Sequence, residues 1–179
     1  MSNEIVFETH ALTEDNERGV ATGWLPGRLS QRGRELAVMM GRRRRADDLA
    51  AVFSSDLRRS VETAEIAFSG SDVPIFLDWR LRECDFGVHN GSPVADLRRD
   101  RQEYIDTAYP GGESYRQAVQ RVAAVLDDLP TRWPGKRVML IGHGATQYAL
   151  EHVINKVPLE ELVAARFEWR ETGWTYQLR

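Results

Sequence analysis

The sequence of 179 residues has one cysteine, four histidines and no long apolar run. Because Cys84 has no partner cysteine in the chain, an intramolecular disulfide is excluded. The histidines are scattered without the spacing of a zinc site, so no metal or other cofactor is expected. No apolar run approaches the roughly 18 residues of a membrane span, and residues 1–4 lack the basic start of a secretion signal. These absences predict a cytoplasmic protein that does not bind membranes.

The sequence also lacks a large excess of charge of either sign. It has 24 basic and 27 acidic side chains, which gives a net charge of -3. This balance gives no general attraction to nucleic acid or to an anionic membrane. The one dense basic run, Arg42 to Arg45, lies next to Asp47 and Asp48 and is interpreted as the solvated end of a helix. Any attraction of an anionic ligand must therefore come from a local group of charges.

What the sequence does contain is a large apolar fraction, 42%, with no repeats and no low-complexity tract. A chain of this length and composition predicts one compact domain over residues 1–179. Apolar segments bounded by turn residues predict strands over 4–9, 52–53, 75–77 and 138–141, the third of them buried, and a terminal hairpin over 167–178. Helical periodicity and caps predict helices over 30–45, 58–68, 112–129 and 146–154, with Pro130 ending the third.

Strands that alternate with helices favour an α/β fold, a three-layer sandwich whose central sheet is mostly parallel and flanked by helices. In such sheets ligands bind at the carboxyl ends of the strands. His10 and His143 each follow a predicted strand directly, so they are the best candidates for a site. Each of them alone also fits a structural residue at a strand end. His89 and His152 have no motif around them and are interpreted as surface or structural residues.

The residues around His10 form the first of a series of motifs. Thr9-His10-Ala11 is followed by Asn16, by Thr22-Gly23-Trp24 and by Leu29-Ser30-Gln31-Arg32-Gly33. This order resembles the opening of the histidine phosphatase superfamily, which includes the cofactor-dependent phosphoglycerate mutases. In that family a strand ends in Arg-His-Gly, an asparagine lies six residues after the histidine, and a Gly-Trp and a Leu-Ser/Thr-x-x-Gly follow.

Four later segments continue the resemblance in the family's order. They are similar to its Ser-x-Leu-x-Arg-Ala-x-x-Thr-Ala, Leu-x-Glu-x-x-x-Gly, Pro-Gly-Gly-Glu-Ser and second-histidine motifs. Here they read Ser55-Asp56-Leu57-Arg58-Arg59-Ser60-Val61-Glu62-Thr63-Ala64, Leu81-Arg82-Glu83-Cys84-Asp85-Phe86-Gly87, Pro110-Gly111-Gly112-Glu113-Ser114 and Gly142-His143-Gly144. The resemblance spans residues 5 to 150, and it implies the fold and a phosphate chemistry.

The resemblance also implies a role for each matched residue. His10 corresponds to the nucleophile, Arg59 to a phosphate-binding arginine and Glu83 to the proton donor, with His143 as the third catalytic group. The remaining matched positions are expected to bind the substrate; they are Thr9, Asn16, Thr22, Gly23 and Gly144. Without the resemblance, Glu83 could equally form a surface ion pair with Arg80 or Arg82, Asn16 could make an Asx turn, and Arg58 could exchange roles with Arg59. Trp24 could line the substrate mouth or pack the loop.

These residue types suit transfer of a phosphoryl group. A neutral imidazole can attack phosphorus and become a phosphohistidine, which divides one displacement into two easier steps. The charge spread over the phosphoryl oxygens needs fixed donors, of which a planar, always charged arginine is a strong one. His143, if protonated, would add a second cation, and Glu83 could protonate the leaving oxygen and then activate water.

The motif around His10 departs from the family at two of its three positions. Thr9 replaces an arginine that grips the phosphate, and Ala11 adds a methyl group in place of a glycine, the residue suited to a positive φ or to close approach of the phosphate. Three explanations are open at this point. An arginine from elsewhere, with Arg18, Arg28 and Arg82 as candidates, replaces the charge; the substrate needs a weaker phosphate clamp; or catalysis is lost and the protein binds a phosphorylated ligand or a partner.

The predicted activity is that of a metal-independent phosphatase, a phosphomonoester hydrolase that acts through a phosphohistidine on a small phosphorylated metabolite. The alternatives are a phosphoglycerate mutase-type phosphoryl transferase and a catalytically impaired phosphate-binding or scaffold protein. The short segment between Gly91 and Pro110 leaves little room for a mutase lid and favours the hydrolase. The sequence names neither the substrate nor the oligomeric state.

Overall fold

The computed structural model describes residues 2–179, in which a five-stranded sheet lies between two layers of helices. Its strand order is β4-β3-β6-β1-β7, and a separate antiparallel pair joins β2 to β5. Within the described part of the chain the strands are β1 (Asn3–Thr9), β2 (Val20–Ala21), β3 (Ala51–Ser54), β4 (Ile75–Leu77), β5 (Ser92–Pro93), β6 (Arg137–Gly142) and β7 (Trp174–Leu178). The helices of the same residues are α1 (Glu14–Glu17), α2 (Gln31–Arg44), α3 (Arg58–Ala67), α4 (Val94–Asp100), α5 (Tyr115–Arg132), α6 (Gly144–Val153) and α7 (Leu159–Ala164).

The alternation of side chains along β1 explains why helices cover both faces of the sheet. Val6 packs with Met40 of α2 and Ala64 of α3 on one face. Ile5 and Phe7 point the other way, into a larger cluster with residues of α5 and α6. All three β1 side chains are almost fully buried, and burial of each contributes about 1.5–3 kcal/mol to the free energy of unfolding. The predicted three-layer α/β sandwich is confirmed.

The sheet is parallel except at one edge. β1 pairs in parallel with β6, and β3 pairs in parallel with β6 and β4. β7 pairs antiparallel with β1, through Phe7 and Trp174 at one end of the ladder. The predicted terminal hairpin is wrong, because residues 167–173 form no strand and the last strand pairs with β1 instead of folding back on its own neighbour.

Two further predictions of local structure are wrong. Pro130 does not end its helix: α5 begins after the Ser114 cap and continues through the proline to Arg132. Pro130 is exposed and lies in the last turn, where its ring faces solvent and the lost N–H removes a single helical hydrogen bond. The strand β4 is not buried, since it lies at the sheet edge and Leu77 is 56% exposed.

The basic run at the end of α2 is only partly solvated. Arg43 and Arg44 both form ion pairs with the buried carboxylate of Glu8, at 2.8 and 2.7 Å, while Arg42 and Arg45 are exposed. The middle of the run therefore joins α2 to β1, and the interpretation as a wholly solvated helix end is corrected. No helix among residues 2–179 is long and apolar enough to cross a bilayer.

Candidate active site

Two neighbouring parallel strands bring His10 and His143 together. The register pairs Thr9 with Gly142, so the two histidines follow directly at the carboxyl ends of β1 and β6. The His10 N–H donates to the Gly142 carbonyl at 3.0 Å, and the centroids of the two imidazole rings are 5.0 Å apart. Residues far apart in the chain thus meet at the edge of the sheet where ligands bind in this class of fold.

The backbone fixes which nitrogen of His10 is free. Nδ1 donates to the Ala11 carbonyl at 2.7 Å, which leaves the lone pair on Nε2. The Arg59 Nε–H donates to that Nε2 at 3.2 Å. Burial, and then the charge of Arg59, lowers the pKa of His10 to about 3. At neutral pH His10 is therefore uncharged and presents an unprotonated nitrogen beside a guanidinium group.

Arg59 lies at the first turn of α3 and is 2% exposed. One of its terminal nitrogens donates to the Gly23 carbonyl at 2.8 Å and lies 3.3 Å from Nδ1 of His143. Burial lowers the pKa of Arg59 to about 10, although the charges of Glu83 and Asp15 act in the opposite direction. The guanidinium remains a cation at neutral pH and lies between the two histidines. Arg58 is exposed on the other side of the helix turn, so Arg59 and not Arg58 reaches the site.

His143 lies between Arg59 and a serine that the sequence analysis did not single out. A guanidinium can only donate, so Nδ1 of His143 accepts from Arg59 and its Nε2 carries the hydrogen. Nε2 lies 3.2 Å from the hydroxyl of Ser60, which is fully buried. Burial and the charge of Arg59 lower the pKa of His143, so this imidazole is uncharged at neutral pH and is not the second cation predicted there. The one available signal for Ser60 is its place directly after Arg59, at a position where the family motif has alanine.

The side chain of Glu83 contacts the N-terminus of α6, beside the histidines. Its carboxylate accepts the N–H groups of Gly144 at 3.2 Å and Ala145 at 3.0 Å, and also that of Cys84. An acidic side chain is stabilised at a helix N-terminus by the helix dipole and the free N–H groups. Glu83 therefore lies in the site and not in a surface ion pair, since Arg82 pairs with Asp56 and Arg80 with Asp78. The Gly144 N–H predicted to bind phosphate is held by Glu83 in this arrangement.

The loop after β1 contributes the other predicted residues. The Asn16 side chain closes a capping box with Thr13 at the start of α1, which uses its carbonyl and leaves its amide group. Thr22 donates to Asp15 at 2.8 Å, and Gly23 has a positive φ of 55°. A Cβ atom on Gly23 would lie 1.8 Å from Oδ1 of Asn90, so the turn that presents the Gly23 carbonyl to Arg59 requires glycine.

Thr63 joins the loop of His10 to the helix of Arg59. Its hydroxyl accepts the Ala11 N–H at 3.0 Å and donates to the Arg59 carbonyl at 2.7 Å. Thr63 is fully buried. Ala11 is not among the residues with a positive φ, and its methyl group packs with Leu29 and Ala37. The alanine therefore fits without the backbone strain that its place in a glycine position suggested.

The arginines proposed to replace the missing charge at Thr9 are engaged elsewhere. Arg18 pairs with Asp15 at 2.5 Å, and Arg28 with Glu14 at 2.8 Å, both on the exterior. Arg82 forms two hydrogen bonds with Asp56 and stacks over Trp24, with 4.6 Å from its guanidinium carbon to the ring centroid. None of the three lines the cavity of the histidines, so these three candidates are wrong, whereas Arg32, Arg43, Arg98 and Arg101 do line it. Trp24 lies outside the cavity as well and packs the loop, with its indole N–H on the Glu83 carbonyl.

A cavity of about 630 Å³ contains the site. All nine predicted site residues line it, namely Thr9, His10, Asn16, Thr22, Gly23, Arg59, Glu83, His143 and Gly144. Among residues 2–179, no three His, Cys, Asp or Glu side chains are grouped closely enough to hold a metal ion. The polar end of the cavity thus combines an uncharged imidazole nitrogen, a buried guanidinium, a second imidazole and a carboxylate. These groups can bind an oxyanion, attack its central atom and displace a group bonded to it.

Comparisons with known proteins agree with this geometry. The model of the histidine phosphatase superfamily (branch 1) matches residues 5–176. The Salmonella typhi protein named "Probable phosphoglycerate mutase GpmB" is 28% identical over 187 aligned positions, covering 96% of this chain and 87% of that protein.

Two solved structures are similar along nearly the whole chain. Bacillus stearothermophilus YhfR has a TM-score of 0.83 and 27% identity, and the match covers 94% of this chain and 88% of YhfR. A mycobacterial glucosyl-3-phosphoglycerate phosphatase, solved with VO3, has a TM-score of 0.83 and 26% identity, with 98% and 92% covered.

Proposed function

We propose, on the premise that the chain belongs to the histidine phosphatase superfamily, that it hydrolyses phosphomonoesters through a phosphohistidine at His10. The observation that carries the proposal is the unprotonated Nε2 of His10, 3.2 Å from the buried guanidinium of Arg59. A phosphoryl group that takes the place of His10 as the acceptor of the Arg59 Nε–H would free the Nε2 lone pair and face it. The nucleophile needs no separate base, because burial and the Arg59 charge already keep it neutral.

The proposed reaction has two steps. The proton of the monoanionic ester first passes to the Glu83 carboxylate. The Nε2 lone pair of His10 then attacks phosphorus, the P–O bond to the alcohol breaks, and the leaving oxygen takes that proton from Glu83. Water then attacks the phosphohistidine, gives a proton back to Glu83, and the P–N electrons return to His10. The products are the free alcohol and inorganic phosphate. Arg59 stabilises the phosphoryl oxygens in both steps, and His143 joins it when the charge of the bound phosphoryl group favours protonation of Nδ1, while Ser60 accepts from Nε2 on the far side of the ring.

A mutase is the second candidate, because a relative is named as one. It would pass the phosphoryl group from His10 to another oxygen of the substrate instead of to water. The segment 91–110 that follows the site holds only β5, the short helix α4 and a single 3₁₀ turn. Because this segment is too short to form a large lid over the site, water can reach the phosphohistidine, which favours hydrolysis.

The proposal is tested with p-nitrophenyl phosphate in the presence of a metal chelator. We expect release of nitrophenol and inorganic phosphate in equal amounts, and a transient phosphoenzyme in rapid-quench samples. A mutase would instead transfer the group to added 3-phosphoglycerate with little free phosphate. Absence of turnover under all these conditions would contradict the enzyme and favour a protein that only binds phosphorylated ligands.

Thr9 lines the cavity beside the nucleophile and supplies no charge. We expect Thr9→Arg to raise kcat/KM for p-nitrophenyl phosphate about 10-fold or more, because a hydrogen bond to a charged group is worth about 1.5–3 kcal/mol. Thr9→Gln is the matched control, since it adds length without charge and should not raise the rate. Equal effects of the two variants would show that the missing charge does not limit catalysis.

A further inference from the structure

The cavity extends well beyond the groups that would hold a phosphoryl group. Its volume of about 630 Å³ is within the usual range, roughly 300–1,000 Å³, of pockets that enclose a whole small molecule. His10, Arg59, His143 and Glu83 occupy its polar end. The remaining wall must therefore contact the alcohol part of an ester, and its chemistry should select that alcohol.

An aromatic wall begins directly at the phosphate end. A Cβ atom on Gly23, whose carbonyl accepts from Arg59, would lie 3.0 Å from the Phe86 ring. The Phe86 and Tyr115 ring centroids are 6.5 Å apart, and those of Tyr115 and Tyr148 are 6.0 Å apart. Tyr148 lies four residues after Gly144 on α6, so it occupies the same helix face one turn further on. The three rings are each 7% exposed and line the cavity.

Aliphatic side chains continue this wall on other elements. Leu97 of α4 lines the cavity and packs against the main hydrophobic core, and Leu36 and Met40 of α2 line the cavity as well. Two of the charged groups on the wall are already engaged. Arg43 pairs with Glu8, and Arg101 donates to the carbonyls of Ala164 and Ala165. Beyond the catalytic groups, the buried wall is therefore mainly apolar, and the hydroxyls of Tyr115 and Tyr148 are the polar groups of its aromatic part.

We propose that the preferred substrates are phosphate monoesters of apolar, ring-bearing alcohols, whose ring packs against Phe86, Tyr115, Tyr148 and Leu97. This inference rests on the proposed hydrolase function and adds the class of leaving group. Removing an apolar ring from water contributes roughly 25 cal/mol per Å² of buried area, and this gain is absent for a hydroxylated alcohol. Stacking of rings adds to it.

A phosphorylated carboxylic acid is the competing substrate class. Arg32 and Arg98 line the same cavity, and neither has a carboxylate within 4.0 Å among the side chains of residues 2–179. Both are exposed, so solvent and salt screen their charges. The aromatic wall is buried and lies next to the phosphate end, which is why the apolar class is favoured.

The test compares benzyl phosphate with glycerol 3-phosphate and 3-phosphoglycerate. Benzyl phosphate and glycerol 3-phosphate both release primary alcohols, so the comparison isolates the wall from most of the difference in leaving-group chemistry. We expect kcat/KM for benzyl phosphate to exceed that for either polar ester about 20-fold or more, the gain expected from burying one ring. Equal values for benzyl and glycerol phosphates, or faster hydrolysis of 3-phosphoglycerate, would overturn the inference and leave the hydrolase proposal intact.

A variant of the wall links the preference to the cavity. Leu97→Asn is expected to lower kcat/KM for benzyl phosphate about 5- to 10-fold and to change that for glycerol 3-phosphate less than about 2-fold. Leu77→Asn, on the exposed edge strand outside the cavity, is the matched control and should leave both values unchanged. An equal loss for both esters in Leu97→Asn would mean that the residue acts through folding and not through contact with the ring. Turnover of none of the three esters by the wild type would overturn the hydrolase proposal itself.

Discussion

Replacing His10 with alanine is expected to lower kcat/KM for p-nitrophenyl phosphate at least about 1000-fold, because the covalent route through the phosphoenzyme is then lost. The remaining Arg59 and His143 could still bind phosphate, so binding of inorganic phosphate should weaken much less than turnover. The measurement is steady-state hydrolysis with chelator, together with rapid-quench detection of the phosphoenzyme. The phosphoenzyme should be absent in the variant.

His89→Ala is the matched control for this experiment. His89 lies outside the cavity, near Tyr104 and Tyr109, and its loss should change kcat/KM less than about 2-fold. Activity retained in His10→Ala, at the level of the His89 control, would assign the nucleophile elsewhere or indicate a contaminating phosphatase.

Arg59→Met is expected to have the second largest effect, a loss of about 100- to 1000-fold in kcat for the same ester. Removing one donor aimed at the developing negative charge usually costs this much. Here the same guanidinium also contacts His10 and His143, so both imidazoles lose an orienting partner. Its loss also removes one of the two causes that lower the pKa of His10, so the acid limb of the pH profile should move to higher pH.

Arg58 offers a control on the adjacent position of the same helix. Arg58 is exposed, whereas Arg59 is buried, so Arg58→Met removes an identical charge without touching the cavity. Arg59→Lys should recover only part of the activity, because a single ammonium group cannot reach His10, His143 and Gly23 together. If Arg58→Met and Arg59→Met lost activity equally, a general effect of net charge would explain both, and the assigned position of Arg59 would be wrong.

The sequence predicted the layers of the fold because its strongest signals are local. The apolar run of β6, the cap at Ser30 and the helical periodicity of α5 each act within a few residues. Where a local pattern competed with long-range pairing, the prediction was wrong. Residues 167–178 alternate like a hairpin, but the free edge of β1 provides a partner for 174–178 that no local pattern reveals. The exposure of β4 likewise depends on its place in the sheet, which a three-residue apolar run does not encode.

For the site too, some features could be predicted from local sequence, and others depend on long-range contacts. The strand ends of His10 and His143 could be predicted to meet, because parallel neighbours end at one edge of a sheet. The partners of the arginines could not, since Arg82 depends on where Asp56 lies and Arg43 on where Glu8 lies. The contact of Ser60 with His143 joins α3 to the end of β6 and was therefore also beyond reach. Motif order selected the residues, and tertiary structure decided which of them touch.

The hydroxyl of Thr63 links two groups of the phosphoryl-transfer site, whereas the residue proposed to select the substrate lies on another element. The backbone next to His10 and the backbone of Arg59 are hydrogen-bonded to this one buried hydroxyl, which couples the positions of these two groups. Leu97 lies on α4, a helix of seven residues that none of these bonds reaches. Substitutions on α4 can therefore alter which ester is accepted while the phosphoryl-transfer geometry stays constant. The residues that select the alcohol and those that transfer the phosphoryl group thus lie mostly on different elements, and divergence should be faster on α4 than around Thr63.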